Sequence, residues 1–360
     1  MRAQWLCIFL LALVCSTQAA ANSNCEGKKS FHFNADRVTE LKQFPFASPY
    51  ELVWADGFDG SIADTTQWYP YFPFGCRVHQ FNNARNRDLQ YYSKPENLLC
   101  ENGLLKIRAL RDTFEACAMD ARPKGCAAKD YGDCILRDSI TNRRMFYYTS
   151  GLIWSHQKYK FGYFEARIKI PEINGIWPAF WLYGECANEI DVFEFLNKTP
   201  GSTGKKFMYD KKKASRLWYA TVHSYPNCEA SAGLCHDESR LKAKDLFETG
   251  ERFCDSFHVY GVEWTPLSIR FFIDSIPVKE VFYFKTEKEW IKTPEQLSGL
   301  ADSLFVSDVQ IRQPMNVILN VQITDQDLSG NNFGNYPAEM LVDYVRIYQR
   351  KASDTGKPAE

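Results

Sequence analysis

The chain of 360 residues lacks an excess of either charge: 43 Lys and Arg stand against 44 Asp and Glu, a formal net charge of −1. A near-neutral surface offers no field for a polyanion, which argues against nucleic acid as the main partner. Metal-ligand spacing is also missing. No Cys-x-x-Cys occurs and the 6 His are scattered, so the usual zinc-site pattern is absent. Beyond Val14 no apolar run approaches the roughly 18 residues that a membrane helix needs. Sustained helical periodicity, internal repeats and low-complexity linkers are absent too. At 45% hydrophobic and 24% charged residues, the chain is neither disordered nor a coiled coil.

The N-terminus has Arg2, an apolar run from Trp5 to Val14, and Ala19-Ala20-Ala21. This pattern predicts a secretory signal peptide over residues 1–21, cleaved near Ala21. The run is too short to span a hydrocarbon core of ~30 Å. The mature chain is therefore expected to be secreted and extracellular, without membrane attachment, and monomeric. Removing Cys7 and Cys15 leaves 10 of the 12 cysteines. An even number in an oxidising compartment predicts disulfides, with connectivity open. Asn197-Lys198-Thr199 is a glycosylation sequon, and the tail 351–360 is polar.

What is present is a succession of short alternating segments. Phe164, Ala166, Ile168 and Ile170 alternate with Tyr163, Glu165, Arg167 and Lys169. Met315, Val317, Leu319, Val321 and Ile323 alternate with Asn316, Ile318, Asn320 and Gln322. Val342, Tyr344, Arg346 and Tyr348 alternate with Leu341, Asp343, Val345 and Ile347. Such period-two patterns predict antiparallel, half-exposed strands. Residues 268–274 followed by Ser-Ile-Pro predict a hairpin arm. The best helix candidates, 240–248 and 295–304, are short. The pattern predicts an all-β chain, a two-sheet antiparallel sandwich of jelly-roll type. One domain over 46–350 is expected, after an extension over 22–45, with insertions near 111–145, 198–216 and 284–312.

The most informative segment runs from Gly184 to Leu196, where Glu189, Asp191 and Glu194 interrupt an apolar, β-prone run. An acid in such a run faces solvent, a partner or a cleft. In a regular strand Glu189 and Asp191 share a face and Glu194 points the other way. A β-bulge near Val192-Phe193 returns Glu194 to the first face. The two Glu Cα atoms then lie roughly 13 Å apart at ~3.3 Å per residue. Side chains leaning together approach the ~5–5.5 Å carboxyl separation of a retaining glycosidase. Asp191 between them would hydrogen-bond the nucleophile and raise the acid's pKa. Just upstream, Trp177 and Trp181 in Trp-Pro-Ala-Phe-Trp give the composition of a carbohydrate cleft, where sugar C–H faces pack on indole rings.

These motifs together resemble glycoside hydrolase family 16, its laminarinase-like branch. The resemblance is carried by Leu52–Gly60, Asn86–Tyr92, Glu101–Ile107, Tyr148–Gly151, Phe161–Arg167, the Trp-Pro-Ala-Phe-Trp segment, the acidic strand, His258–Pro266 and Val342–Arg346. It implies a concanavalin A-like jelly roll with a concave cleft and a retaining mechanism. By motif position it implies Glu189 as nucleophile, Asp191 as its partner and Glu194 as acid/base, an order that the chemistry alone leaves open. It further implies sugar contacts at Trp177, Trp181, His223 and Asn86, and no required cofactor. A structural calcium near Asp343 and the Gly103 carbonyl is also implied. The substrate implied is a β-1,3-glucan, or a β-1,3-1,4-glucan, cut at internal linkages. The alternatives are a non-catalytic β-glucan-binding protein, an enzyme of algal galactans, and a transglycosylase. Gly57 stands where the family has Glu, and Asn86-Arg87-Asp88 where it has Asn-Asn-Glu.

Overall fold

The alternating segments become strands of two stacked sheets. In chain order they are β1 (Tyr50–Asp56), β2 (Trp68–Tyr69), β3 (Gln90–Tyr92), β4 (Leu98–Glu101), β5 (Leu104–Cys117) and β6 (Arg143–Ser150). Then come β7 (Leu152–Tyr159), β8 (Gly162–Lys169), β9 (Ile176–Gly184), β10 (Glu189–Glu194), β11 (Leu217–Ser224) and β12 (Cys235–Lys242). The last are β13 (His258–Trp264), β14 (Ser268–Ile273), β15 (Ile276–Phe282), β16 (Phe284–Lys285), β17 (Phe305–Val306), β18 (Met315–Ile323) and β19 (Ala338–Arg350). This computed structural model describes residues 50–60, 63–71, 89–92, 94–117, 143–172, 176–184, 188–195, 217–224, 235–243, 246–247, 251–265, 268–282, 284–285, 305–306, 313–323 and 336–350. The expected signal segment, the 22–45 extension, the tail, Asn86, the sequon and most of the three insertions lie outside those residues.

One sheet has the order β15-β14-β13-β8-β19-β5-β6-β3, with β1 added on β19 and β4 on β5. The other has the order β12-β11-β10-β9-β18-β7-β2. All pairings within these two sheets are antiparallel except β3 with β6. Between the sheets lies one large apolar cluster. It includes Trp68, Phe164, Phe180, Phe193, Trp218 and Trp264. Inward alternation of apolar residues produces it, as at Phe164, Ala166 and Ile168 of β8, all fully buried.

Three local expectations are revised. First, β18 is buried along its whole length rather than on one face. It is a central strand, between β9 and β7, so the face carrying Asn316, Ile318, Asn320 and Gln322 is covered as well. Second, the alternation of β19 changes face at Asp343. The register against β8 slips between Val342 and Tyr344, and Val342, Val345 and Ile347 all face the core. Third, residues 240–242 close a strand instead of opening a helix. Leu241 and Ala243 are buried and Lys242 is exposed, a spacing of two. The second helix candidate, 295–304, lies outside the described residues. The hairpin arm forms as β14 and β15. Its turn uses Asp274 and Ser275, both at positive φ (51 and 66°), the twist that a two-residue hairpin requires.

The disulfide expectation fails at Cys100. This residue faces Leu105 across the β4–β5 ladder and is a free, buried thiol. Burial, with the nearby Asp56 charge, pushes its pKa up to about 11, so it is an unreactive core group.

Gly162 opens β8 at φ +128°, and a Cβ there would lie 2.3 Å from the Tyr348 carbonyl of β19. The backbone of two adjacent strands must part to admit it. Gly162→Ala is expected to cost about 2–4 kcal/mol, measured as a lowered midpoint in urea unfolding.

Candidate active site

Strands β9 and β10 form a hairpin whose base closes with Gly184 N–H donating to the Asn188 carbonyl at 2.9 Å. From there Glu189 faces Tyr183, Ile190 faces Leu182 and Asp191 faces Trp181. The register then slips: Phe193 faces Phe180 and Glu194 faces Ala179. The same slip appears against β11, between Asp191 and Glu194. One extra residue is therefore accommodated in β10. Ile190, Val192 and Phe193 all join the core, while Glu189 and Glu194 are half-buried on the opposite face. Tyr183 and Ala179 are four positions apart in β9, so the two Glu backbones are roughly 13 Å apart along the strand.

Cross-strand partners on that face complete the site. On β11, His223 faces Glu189, Thr221 faces Asp191 and Tyr219 faces Glu194. The His223 Nε2 is 3.4 Å from the Asp191 Oδ2. Trp181, half-buried, is fixed by a chain of hydrogen bonds. Its Nε1 donates to the Asn320 Oδ1 at 2.8 Å, and the Asn320 Nδ2 donates to the Tyr92 hydroxyl at 3.1 Å. Trp177 lies on the same face of β9 and faces Gln322 of β18. Trp177, Trp181, His223 and the three acids are thus gathered on one sheet face. Asn86 lies outside the described residues.

Sequence reasoning missed Tyr183, which is opposite Glu189 and packs edge-on to Trp181 at 5.6 Å. The alternation that relates Trp177 to Trp181 extends to Tyr183 and would have found it. It also missed Asn320, which holds the Trp181 indole, and Trp154, which packs edge-on to Trp181 at 6.2 Å; both come from strands distant in sequence and leave no local signal.

Burial dominates the electrostatics. Asp191 is only 2% exposed. Burial first, and then the Glu194 charge, push its pKa well above the usual carboxylate range, against the opposing effect of its hydrogen bond with Glu189. Burial and then the Asp191 charge raise Glu189 to about 8, with His223 pulling the other way. A dry, crowded site cannot ionise all of its acids at neutral pH. Both shifts favour a proton within the Glu189–Asp191 pair.

Glu189, Asp191 and His223 also bring one ligand atom each within 4.8 Å of one another, a donor set that suits a borderline cation such as zinc. The residues anticipated for calcium fit less well. The Asp343 carboxylate is taken by the Arg167 guanidinium. Gly103 lies in the β4–β5 turn beside Asp59. Calcium takes six to eight oxygen ligands; among the described residues the two anticipated ones offer an ion-paired carboxylate and one carbonyl with the Asp59 carboxylate beside it.

Comparison with known proteins agrees with this fold. Over 329 residues the chain is 26% identical to glucan endo-1,3-beta-glucosidase A1 of Niallia circulans, covering 85% of this chain and 39% of that protein. It thus spans well under half of that relative. It is 26% identical over 320 residues to a beta-glucanase of Rhodothermus marinus, covering 84% of this chain and 86% of the relative. The structure of an endo-beta-1,3-glucanase from Pyrococcus furiosus matches with a TM-score of 0.52 at 25% identity, over 84% of this chain and 96% of that one. Residues 127–317, more than half of the chain and including the strand with the three acids, match the profile of glycosyl hydrolases family 16, and the chain belongs to that family.

Proposed function

We propose that the chain is a secreted, retaining endo-β-glucan hydrolase that cuts β-1,3 linkages. The observation that carries this reading is the bulge in β10, which puts Glu189, Asp191 and Glu194 on one face of the sheet. The order of roles follows the family motif. Glu189 attacks the anomeric carbon while Glu194 gives its proton to the departing glycosidic oxygen. The covalent glycosyl-enzyme is then opened by water, with Glu194 taking the proton back. Glu189 must be an anion to attack. The hydrogen bond between Glu189 and Asp191 favours the proton on Glu189 over Asp191, so attack requires that proton to pass across the bond to Asp191, which then holds it. His223, beside the Asp191 Oδ2, steadies that arrangement. Trp181 and Trp177 offer ring faces to the sugar. The N-terminal segment 1–21 directs export, so the enzyme works outside the cell.

A product screen over laminarin, lichenan, agarose and carrageenan tests the substrate. New reducing ends are expected from laminarin, with retained anomeric configuration by NMR. Galactan products alone would overturn the β-glucan assignment. Glu189→Gln is expected to lower turnover on the order of a thousandfold or more, with an unchanged circular dichroism spectrum.

The raised pKa of Glu189 also has a sign in stability. The folded state binds its proton more tightly than the unfolded state, from 4.5 up to about 8. This contribution is fully present below the unfolded value and is lost as pH rises through the folded one. Glu189→Gln removes the loss. Thermal melts should show the variant gaining about 1–3 kcal/mol on the parent chain as pH rises from acid to mildly alkaline.

A further inference from the structure

Two neighbouring strands bring donors of two chemical kinds to one point. Glu189 and Asp191 are two residues apart in β10, so their side chains leave the pleat on the same side. His223 faces Glu189 across the β10–β11 ladder and projects from that side as well. Two carboxylates and one imidazole thus converge, with one ligand atom from each within 4.8 Å of the other two.

Tetrahedral zinc holds nitrogen and oxygen ligands at about 2.0–2.2 Å, which sets them about 3.3–3.5 Å from one another. The His223 Nε2 and the Asp191 Oδ2 already lie 3.4 Å apart. That oxygen is a second, independent sign of a ligand. Asp191 is 2% exposed, and its Oδ2 accepts no hydrogen bond among the described residues. A buried oxygen in that state is costly, and a coordinated cation would satisfy it. Glu189 and His223 are half-buried, so an ion reaches all three donors from the side of the sheet opposite the core, with a fourth position left to water. When ionised, the two carboxylates have no Lys or Arg facing them from β9 or β11, and a divalent ion would be the largest compensating charge in the site. The imidazole decides between metals. Calcium and magnesium favour sites of six or more oxygens, whereas zinc takes mixed nitrogen and oxygen donors at four-coordination.

We propose that Glu189, Asp191 and His223 form a reversible zinc site, and that a zinc ion bound there blocks hydrolysis by occupying the carboxylate that must attack the sugar. The metal acts as a regulator that takes the nucleophile out of use, and the free zinc concentration sets the active fraction of the enzyme. The blocking rests on the reading of Glu189 as the nucleophile of a β-glucan hydrolase. The binding rests on the donor geometry alone.

Calorimetric titration with zinc chloride tests the binding. His223→Ala and Glu189→Gln are each expected to weaken it about tenfold or more, and magnesium or calcium chloride should bind the parent chain at least about tenfold more weakly than zinc. A second measurement needs no variant: zinc should protect His223 of the parent chain from diethyl pyrocarbonate, read by peptide mapping. Laminarin hydrolysis should fall by half near the zinc Kd and recover on adding a chelator. Unchanged zinc affinity in both variants, or equal modification of His223 with and without zinc, overturns the site. Zinc bound at the trio with hydrolysis undiminished overturns the blocking. A parent chain that binds zinc there and hydrolyses no β-glucan overturns the hydrolase reading and leaves the metal site standing.

Discussion

Val192 and Phe193 are consecutive in β10, yet both face the core, and the site depends on that local break in the pleat. A strand of strict period two would send Glu194 into the sandwich or Phe193 out of it. The core resolves the choice. The Phe193 ring lies 4.6 Å from that of Tyr260 on the opposite sheet, 5.3 Å from Phe195 and 6.2 Å from Phe180. Exposing that aromatic surface would cost more than deforming the backbone by one residue. The spacing of the acids is thus set from behind, by aromatic packing between the sheets.

The front of the same strand runs against folding. Two carboxyls beside each other, one of them almost fully buried, are tolerated only by holding protons at neutral pH. On the described strands β9 and β11 no Lys or Arg faces Glu189, Asp191 or Glu194 directly, and the His223 imidazole is the basic group beside them. Under the proposed function the substrate is a neutral polysaccharide that needs no electrostatic capture, and a near-neutral chain with a few buried acids beside ring faces suits it. The linked hydrogen bonds of Trp181, Asn320 and Tyr92 keep one of those faces in place.

Much of this was legible in the sequence because it is periodic. The strand at 162–169 and the break in 189–194 follow from counting by twos, and the break was visible because three acids cannot otherwise share a face. Other features depend on contacts that period cannot report. The second face of β18 reads as half-exposed because its Asn and Gln residues are polar; they are buried by neighbours on either side. The face change at Asp343 has no local marker, and it places that carboxylate against Arg167. Leu241 lies in a stretch with helix-forming composition, but the edge strand of a sheet takes it. Tyr183 was within reach of the same counting and was overlooked; Trp154, on a strand distant in sequence, was out of its reach.

The full burial of β18 bears on how such an enzyme changes its substrate. A strand packed on both faces, whose Asn320 also braces Trp181, has almost no mutational tolerance. Any substitution there meets either the core or the floor of the groove. Drift and selection are therefore confined to the rims, where side chains project from edge strands and connecting segments. New specificities in this scaffold should arise by remodelling its borders while the floor stays unchanged, and a directed-evolution library is best spent there.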